Sequence, residues 1–245
     1  MAKPDPQSLS SWLITLDTCD STNTWALAHA EALAHGAVVW TEAQTAGRGR
    51  QGRSWLAPAG VLTASFVCAI ADHSQSGPLS LAAGLAVIHA CEDLCPGLSL
   101  GLKWPNDVLL DGKKLAGILS ERTSGSPAAM IIGVGLNRAP VWPAREPPVP
   151  CASLAAYSDL DALELLTLIR KYLLEAVGLV QLHGLAPLLT QLQQRDTLRG
   201  RHITLDDGGR IHHGEAAGID GEGRLILMTA MGPQHLRSGH IISTG

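Results

Sequence analysis

Residues 98–137, LSLGLKWPNDVLLDGKKLAGILSERTSGSPAAMIIGVGLN, read as a run of strands. Leu98 to Lys103, Val108 to Leu110, Lys114 to Arg122 and Ala129 to Leu136 carry the apolar and β-branched residues that suit a pleated, half-buried surface. Pro105 cannot extend a strand ladder, so it sets a turn between the first two. Asp111-Gly112 is a two-residue hairpin signal between the second and third.

Upstream, Val61 to Ile70 reads as another strand and Leu79 to Leu94 as a helix of almost unbroken apolar and small residues, hence buried. Residues 42–60, EAQTAGRGRQGRSWLAPAG, show neither helical nor strand period and hold four glycines; they predict a mobile loop. Ala37 to Thr41 is a short buried strand. Residues 21–36 predict a helix opened by Ser21 or Thr22 and stopped by Gly36, and residues 11–17 a first strand.

Downstream, the proline-rich stretch 139–150 reads as a loop. A long helix follows over 159–182 with Leu163, Leu166, Ile169, Leu173 and Val177 on one face, then a second helix over 185–194. After Gly200 the texture changes to short β-type runs, HITL, RIHHGEAAGI, RLILM and HLRSGHII, divided by glycine-rich turns. The expectation is an α/β (α+β) domain over residues 1–197 with a small β-barrel over 198–245 appended.

With 46% hydrophobic and 16% charged residues, the chain can build a sizeable core, and wholesale disorder is excluded. A net charge of −4 disfavours a general nucleic-acid binder, so the local cluster Arg48, Arg50 and Arg53 calls for a site rather than a basic face. The five cysteines include one close pair, Cys91 and Cys95, without a second pair at zinc-like spacing; they read as structural thiols. Met1 to Ser10 has no apolar signal core and no run of 18 apolar residues exists, so the expected location is the cytoplasm.

Three segments carry chemistry. In Gly47-Arg48-Gly49-Arg50-Gln51-Gly52-Arg53-Ser54-Trp55, glycines let backbone N–H groups approach an anion and arginines supply fixed-charge forks for phosphate. Trp55 can close such a loop over an apolar ring. A solvated or RNA-binding Arg-Gly loop is the alternative. In Lys103-Trp104-Pro105-Asn106-Asp107, the polar pair suits either turn chemistry or phosphate and magnesium handling. Lys114 follows the hairpin and can point into a cleft or into solvent. Gly133-Val134-Gly135-Leu136-Asn137 ends a strand in Gly-x-Gly, which brings backbone close to a flat group such as a nucleotide ring, or serves core packing.

Taken together with Asp20-Ser21-Thr22-Asn23, Gln44-Thr45-Ala46 and Lys114-Leu115-Ala116-Gly117-Ile118-Leu119, these segments resemble the biotin protein ligase family, in order and in separation. The resemblance implies a mixed sheet flanked by helices, related to class II synthetase cores and lipoate ligases, with a C-terminal SH3-like barrel. It implies ATP-dependent activation of biotin to biotinyl-5'-AMP, then transfer to a lysine of a biotin carboxyl carrier domain of the acetyl-CoA carboxylase type. Ser21, Thr22 and Asn23 would line the ureido end of biotin, Gln44 its ring or tail, and Gly117 would lie against it. Arg48, Gly49 and Arg50 would close over the biotin carboxylate and the ATP phosphates, and Lys114 would bind that carboxylate and the reacting phosphate. Arg53, Trp55, Lys103, Asn106 and Asn137 would serve ATP, Asn137 near adenine. Magnesium would arrive with ATP rather than on protein ligands, and Asp107 would orient the attacking amine.

The chain departs from the family pattern at Gln51, where another basic residue is commonest. It departs again at His240 and Thr244, where many members carry Glu and, a few residues on, Arg. The first strand begins near residue 11, which leaves no expected room for a winged-helix operator-binding domain. A homodimer through the sheet fits the family and is left open by the residues. The rival readings are a lipoate ligase, an Arg-Gly RNA-binding protein, which one Phe and two Tyr in the whole chain disfavour, and a biotin sensor without transferase activity.

Overall fold

The computed structural model describes residues 11–70, 76–124, 128–142 and 149–245. The expected lack of a signal at Met1 to Ser10 and half of the 139–150 loop lie outside them. Seven strands form one mixed sheet: β1 (Leu13–Leu16), β2 (Val38–Thr41), β3 (Val61–Ala69), β4 (Leu100–Lys103), β5 (Asp107–Leu110), β6 (Lys113–Arg122) and β7 (Ala129–Asn137). Their order is β1-β2-β3-β7-β6-β5-β4. Only β1 and β2 run parallel; the other neighbours are antiparallel. The hairpin between β5 and β6 turns on Asp111 and Gly112 with φ of 50° and 75°, the left-handed pair that a two-residue turn between twisted strands needs.

Helix α1 (Thr22–Ala28) opens the chain's helical layer, and α2 (Ser76–Leu94), α3 (Ala162–His183) and α4 (Leu189–Arg195) complete it. The buried face of α3 is Leu165, Leu166, Ile169, Leu173, Ala176, Val177 and Val180. Leu163, expected on that face, is 37% exposed because the stripe starts at Leu165. The helix expected over 21–36 ends early. After Ala28 the chain tightens into a 3₁₀ turn at Ala30–Ala32, where the His29 ring stacks on Trp25 at 3.9 Å and its Nδ1 bonds the Trp25 carbonyl at 2.8 Å, drawing the backbone out of α geometry. Among the described residues, no helix is long and apolar enough to cross a membrane. All five cysteines are free, and burial pushes Cys91 up to about 12.

The last five strands, β8 (His202–Asp207), β9 (Arg210–Ile219), β10 (Leu225–Thr229), β11 (Gly232–Leu236) and β12 (His240–Thr244), make a separate antiparallel sheet of SH3-like size in the order β11-β10-β9-β8-β12. The run HLRSGHII, expected as one strand, is two: Gly239 at φ 153° breaks it, and β12 crosses over to pair with β8. This sheet is plugged into the larger one by the turn between β9 and β10. Trp104, 1% exposed, donates its Nε1 hydrogen to the Gly223 carbonyl at 3.0 Å, and a Cβ on Gly223 would meet Leu81 and Pro78 at 3.2 Å. Trp104→Phe keeps the ring's burial but orphans that carbonyl. The expected loss is about 1 kcal/mol, roughly 2–4 °C in Tm by calorimetry. An unchanged Tm would show that the bond contributes nothing.

Candidate active site

Across the large sheet one register row runs Thr63–Gly135–Gly117–Asp107–Lys103, and beside it runs Ser65–Gly133–Leu119. Partners in a register share a face, so Gly135 and Gly117, directly opposed, leave a trough in the sheet where side chains would stand. The trough is one wall of a cavity of about 200 Å³ lined by residues from the α1 N-terminus, the Arg-Gly segment, β3, β6 and β7 and the turn before β5.

The flat group that the Gly-x-Gly strand admits is Trp55. A Cβ on Gly135 would lie 2.3 Å from the Trp55 ring and one on Gly117 would lie 3.1 Å from it. The indole Nε1 is buried and has no hydrogen-bond partner among the described residues. Lys114 sits over the same ring, its Nζ 5.5 Å from the centroid. Lys114 also packs at 3.4 Å from the Cβ position of Gly117. Residues three apart on a regular strand face opposite ways. Here the register slips between Val108 and Leu109, so Leu115 is an extra residue, and the bulge turns Lys114 onto the face of Gly117. Lys114 Nζ meets Asp107 Oδ1 at 2.7 Å, as an ion pair without the alignment of a hydrogen bond.

The closed end of the cavity is polar and buried. Ser21 caps α1 by accepting from the Thr24 amide at 3.5 Å. The Gln44 Oε1 atom accepts from the Thr22 amide at 3.0 Å, and Ser65 Oγ lies 2.8 Å from Thr22 Oγ1 and 2.6 Å from Asn23 Oδ1. The Asn23 amide donates to the Leu119 carbonyl at 3.1 Å and to Glu121 Oε2 at 2.9 Å. Glu121 then pairs through its other oxygen with Arg48, whose second nitrogen donates to Thr24 Oγ1 at 3.2 Å.

The segment expected as an irregular loop is a small hairpin. Trp55 N donates to the Gly47 carbonyl at 2.9 Å and Gly49 N to the Arg53 carbonyl at 2.7 Å, with Arg48 bridged to Ser54. Gln51 and Gly52 make its tip at φ 55° and 72°. Arg48, Arg50 and Arg53 thereby all reach the cavity rim. Burial, then the neighbouring Arg53, holds the Arg50 guanidinium below its ordinary range, while Asp107 works the other way. Arg50 also lines a second cavity of about 220 Å³ between the sheet and the β9–β10 turn.

Of the residues expected in the site, Ser21, Thr22, Asn23, Gln44, Arg48, Gly49, Arg50, Arg53, Trp55, Asn106, Lys114 and Gly117 line the one cavity. Lys103 and Asn137 do not. Lys103 ends the register row on the outer strand. Asn137 is 1% exposed behind Lys114, donating to its carbonyl at 3.1 Å, and its Oδ1 is buried with no partner. The sequence reading missed Glu121, Ser65 and Thr63. The signal for the last two was present: polar residues at alternate positions of the otherwise apolar β3. Among the described residues, Asp107 is the one carboxylate in the lining and no cluster of three metal-ligating side chains occurs. The donor set therefore does not fit a protein-held metal ion.

A family model described as the biotin/lipoate A/B protein ligase family matches residues 16–137, and one described as the biotin protein ligase C terminal domain matches residues 199–242. The chain is 35% identical to the biotin--[acetyl-CoA-carboxylase] ligase of Paracoccus denitrificans over 92% of this chain and 98% of that one. It is 33% identical to the bifunctional ligase/repressor BirA of Escherichia coli over 86% of this chain and 68% of that one. The biotin protein ligase from Aquifex aeolicus, solved in complex with biotin and ATP, superposes with a TM-score of 0.84 at 26% identity, over 95% of this chain and 98% of that one.

Proposed function

Because the chain belongs to the biotin protein ligase family, we propose that its cavity binds biotin and ATP, joins them as biotinyl-5'-AMP, and passes the biotinyl group to a lysine of a biotin carboxyl carrier domain. The observation that carries this reading is the convergence of Lys114 with Arg50 and Arg53 at the open end of a cavity whose closed end holds the buried Ser21, Thr22 and Asn23, tied through Glu121 to Arg48. A urea-like head suits the closed end, at Ser21, Thr22, Asn23 and Gln44, and an acid suits the open one.

In the first step a biotin carboxylate oxygen attacks the α-phosphorus of ATP in line. The new O–P bond forms as the bond to pyrophosphate breaks. Negative charge grows on the phosphoryl and leaving oxygens, and Lys114, Arg48, Arg50 and Arg53 would meet it. For this task Lys114 would have to leave its 2.7 Å ion pair with Asp107. Trp55 and Asn106 border the nucleotide half, and the unpartnered Asn137 Oδ1 would accept from an adenine amino group if the base reaches behind Lys114. Lys103 would act on phosphate only from outside the cavity.

In the second step the neutral amine of the carrier lysine attacks the acyl carbon, the C–O bond to AMP breaks, and the amine gives up a proton. Asp107, freed from Lys114, can orient that amine. Magnesium enters, on this reading, only with the phosphates of ATP.

Incubation with biotin, Mg-ATP and a carrier domain tests the whole reading: the expected result is pyrophosphate release and a single biotinyl mass increment on the carrier lysine. Pyrophosphate release with lipoate but not biotin, or no release at all, overturns it. Arg50→Gly should hold biotinyl-5'-AMP less well. Expected are adenylate in the filtrate and biotin on lysines of bystander proteins, read by streptavidin blot. Retention and carrier selectivity equal to the parent would remove the loop from the clamp role.

A further inference from the structure

The second sheet touches the arginine hairpin at a residue that no part of the proposed function uses. His240, the first residue of β12, places Nδ1 3.1 Å from the Arg53 guanidinium. Arg53 in turn closes the hairpin: its Nε donates to the Arg50 carbonyl at 3.2 Å and its own carbonyl accepts from Gly49 at 2.7 Å. An arginine can only donate, so the imidazole nitrogen facing it must be an acceptor, and a protonated ring has none. We infer that His240 is a positioning residue that holds Arg53, and through it the phosphate-facing hairpin, only while its ring is neutral. The inference rests on the adenylation reading above, which supplies the phosphates.

The surroundings favour the neutral ring. Burial, then Arg53 and Lys103, hold His240 below the ordinary imidazole range, while Asp107 and Asp206 pull the other way. Asp206 is its register partner on β8, Lys103 lies on β4, and Asp107 on β5. Near neutral pH the ring accepts from Arg53. As pH falls through the lowered titration point the ring gains a charge that repels Arg53, and the contact is lost. The pair is exposed, so the effect is moderate. A carboxylate at this position would hold Arg53 well into acid; His240 makes the hold conditional.

Two variants separate positioning from general stability. His240→Gln keeps an acceptor that does not titrate; His240→Ala removes it. The measurement is KM for ATP in pyrophosphate release, each variant divided by the parent from pH 8 down to 5.5, which cancels the titration of ATP itself. His240→Ala is expected to raise KM about fivefold at pH 8, as loss of an exposed hydrogen bond to a charged group does. The ratio should fall toward one in acid, where the parent has lost the contact as well. His240→Gln should stay near one at pH 8 and drop below one in acid. A flat ratio for both variants overturns the inference. A parent that releases no pyrophosphate overturns the adenylation reading instead. The contact is then decided on the ligand-free full chain: by NMR the His240 ring should titrate higher in Arg53→Gln than in the parent, and an unchanged titration overturns it.

Discussion

Lys114→Met should lower biotin-dependent pyrophosphate release about 10²- to 10³-fold, the usual consequence of deleting one preorganised charge at a reacting centre. Methionine keeps the length and apolar stem that pack on Trp55 and over Gly117. The loss should therefore fall on kcat rather than on folding. Removing the ammonium also strands the Asp107 carboxylate, one-quarter exposed, next to the cavity. The double variant Lys114→Met/Asp107→Asn controls for that. If it regains the parent rate, the single variant's defect came from the unpaired carboxylate and Lys114 has no direct role. If it stays as slow as Lys114→Met, the ammonium itself acts on the phosphoryl centre. Biotin affinity by calorimetry should change far less than kcat in either case.

Gly133→Ala should weaken biotin binding by roughly 10- to 100-fold, equivalent to the ~1–3 kcal/mol that an extra methyl costs in a packed interior. The methyl would lie 2.4 Å from the Asn23 Oδ1 atom, so one of the two must move. Asn23 has little freedom: it is held by Ser65, the Leu119 carbonyl and Glu121 at once. Its displacement would disturb the closed end of the cavity and, by way of Glu121, the Arg48 ion pair. Titration calorimetry with biotin alone reads the first effect. Parent affinity in Gly133→Ala would mean that Asn23 does not face the ligand.

Much of this arrangement can be read from residue types, and the reasons for the remainder are specific. Strands β4 to β6 were legible because Pro105 and Asp111-Gly112 punctuate them. The glycines of β7 were legible as a close approach, but not their opposition to Gly117 of β6, since register between strands is a tertiary property. The bulge at Leu115 left no mark in composition. Without it, the rule of alternation would put Lys114 on the wrong face. Glu121 reads as an ordinary solvent-facing strand residue until Asn23, 98 positions away, is brought against it. The contact of Arg53 with His240 spans 187 positions and depends on β12 crossing to β8, which no local pattern encodes. The early end of α1 came from a side chain competing at the Trp25 carbonyl, a local effect that apolar spacing does not weigh.

The tryptophan that anchors the β9–β10 turn has a consequence for how the molecule comes into being. Trp104 emerges from the ribosome more than a hundred residues before Gly223, the group that covers its indole hydrogen. Throughout that interval the indole hydrogen lacks the acceptor that the finished fold gives it. The C-terminal sheet thus completes, late in synthesis, a buried contact that the larger domain cannot close by itself.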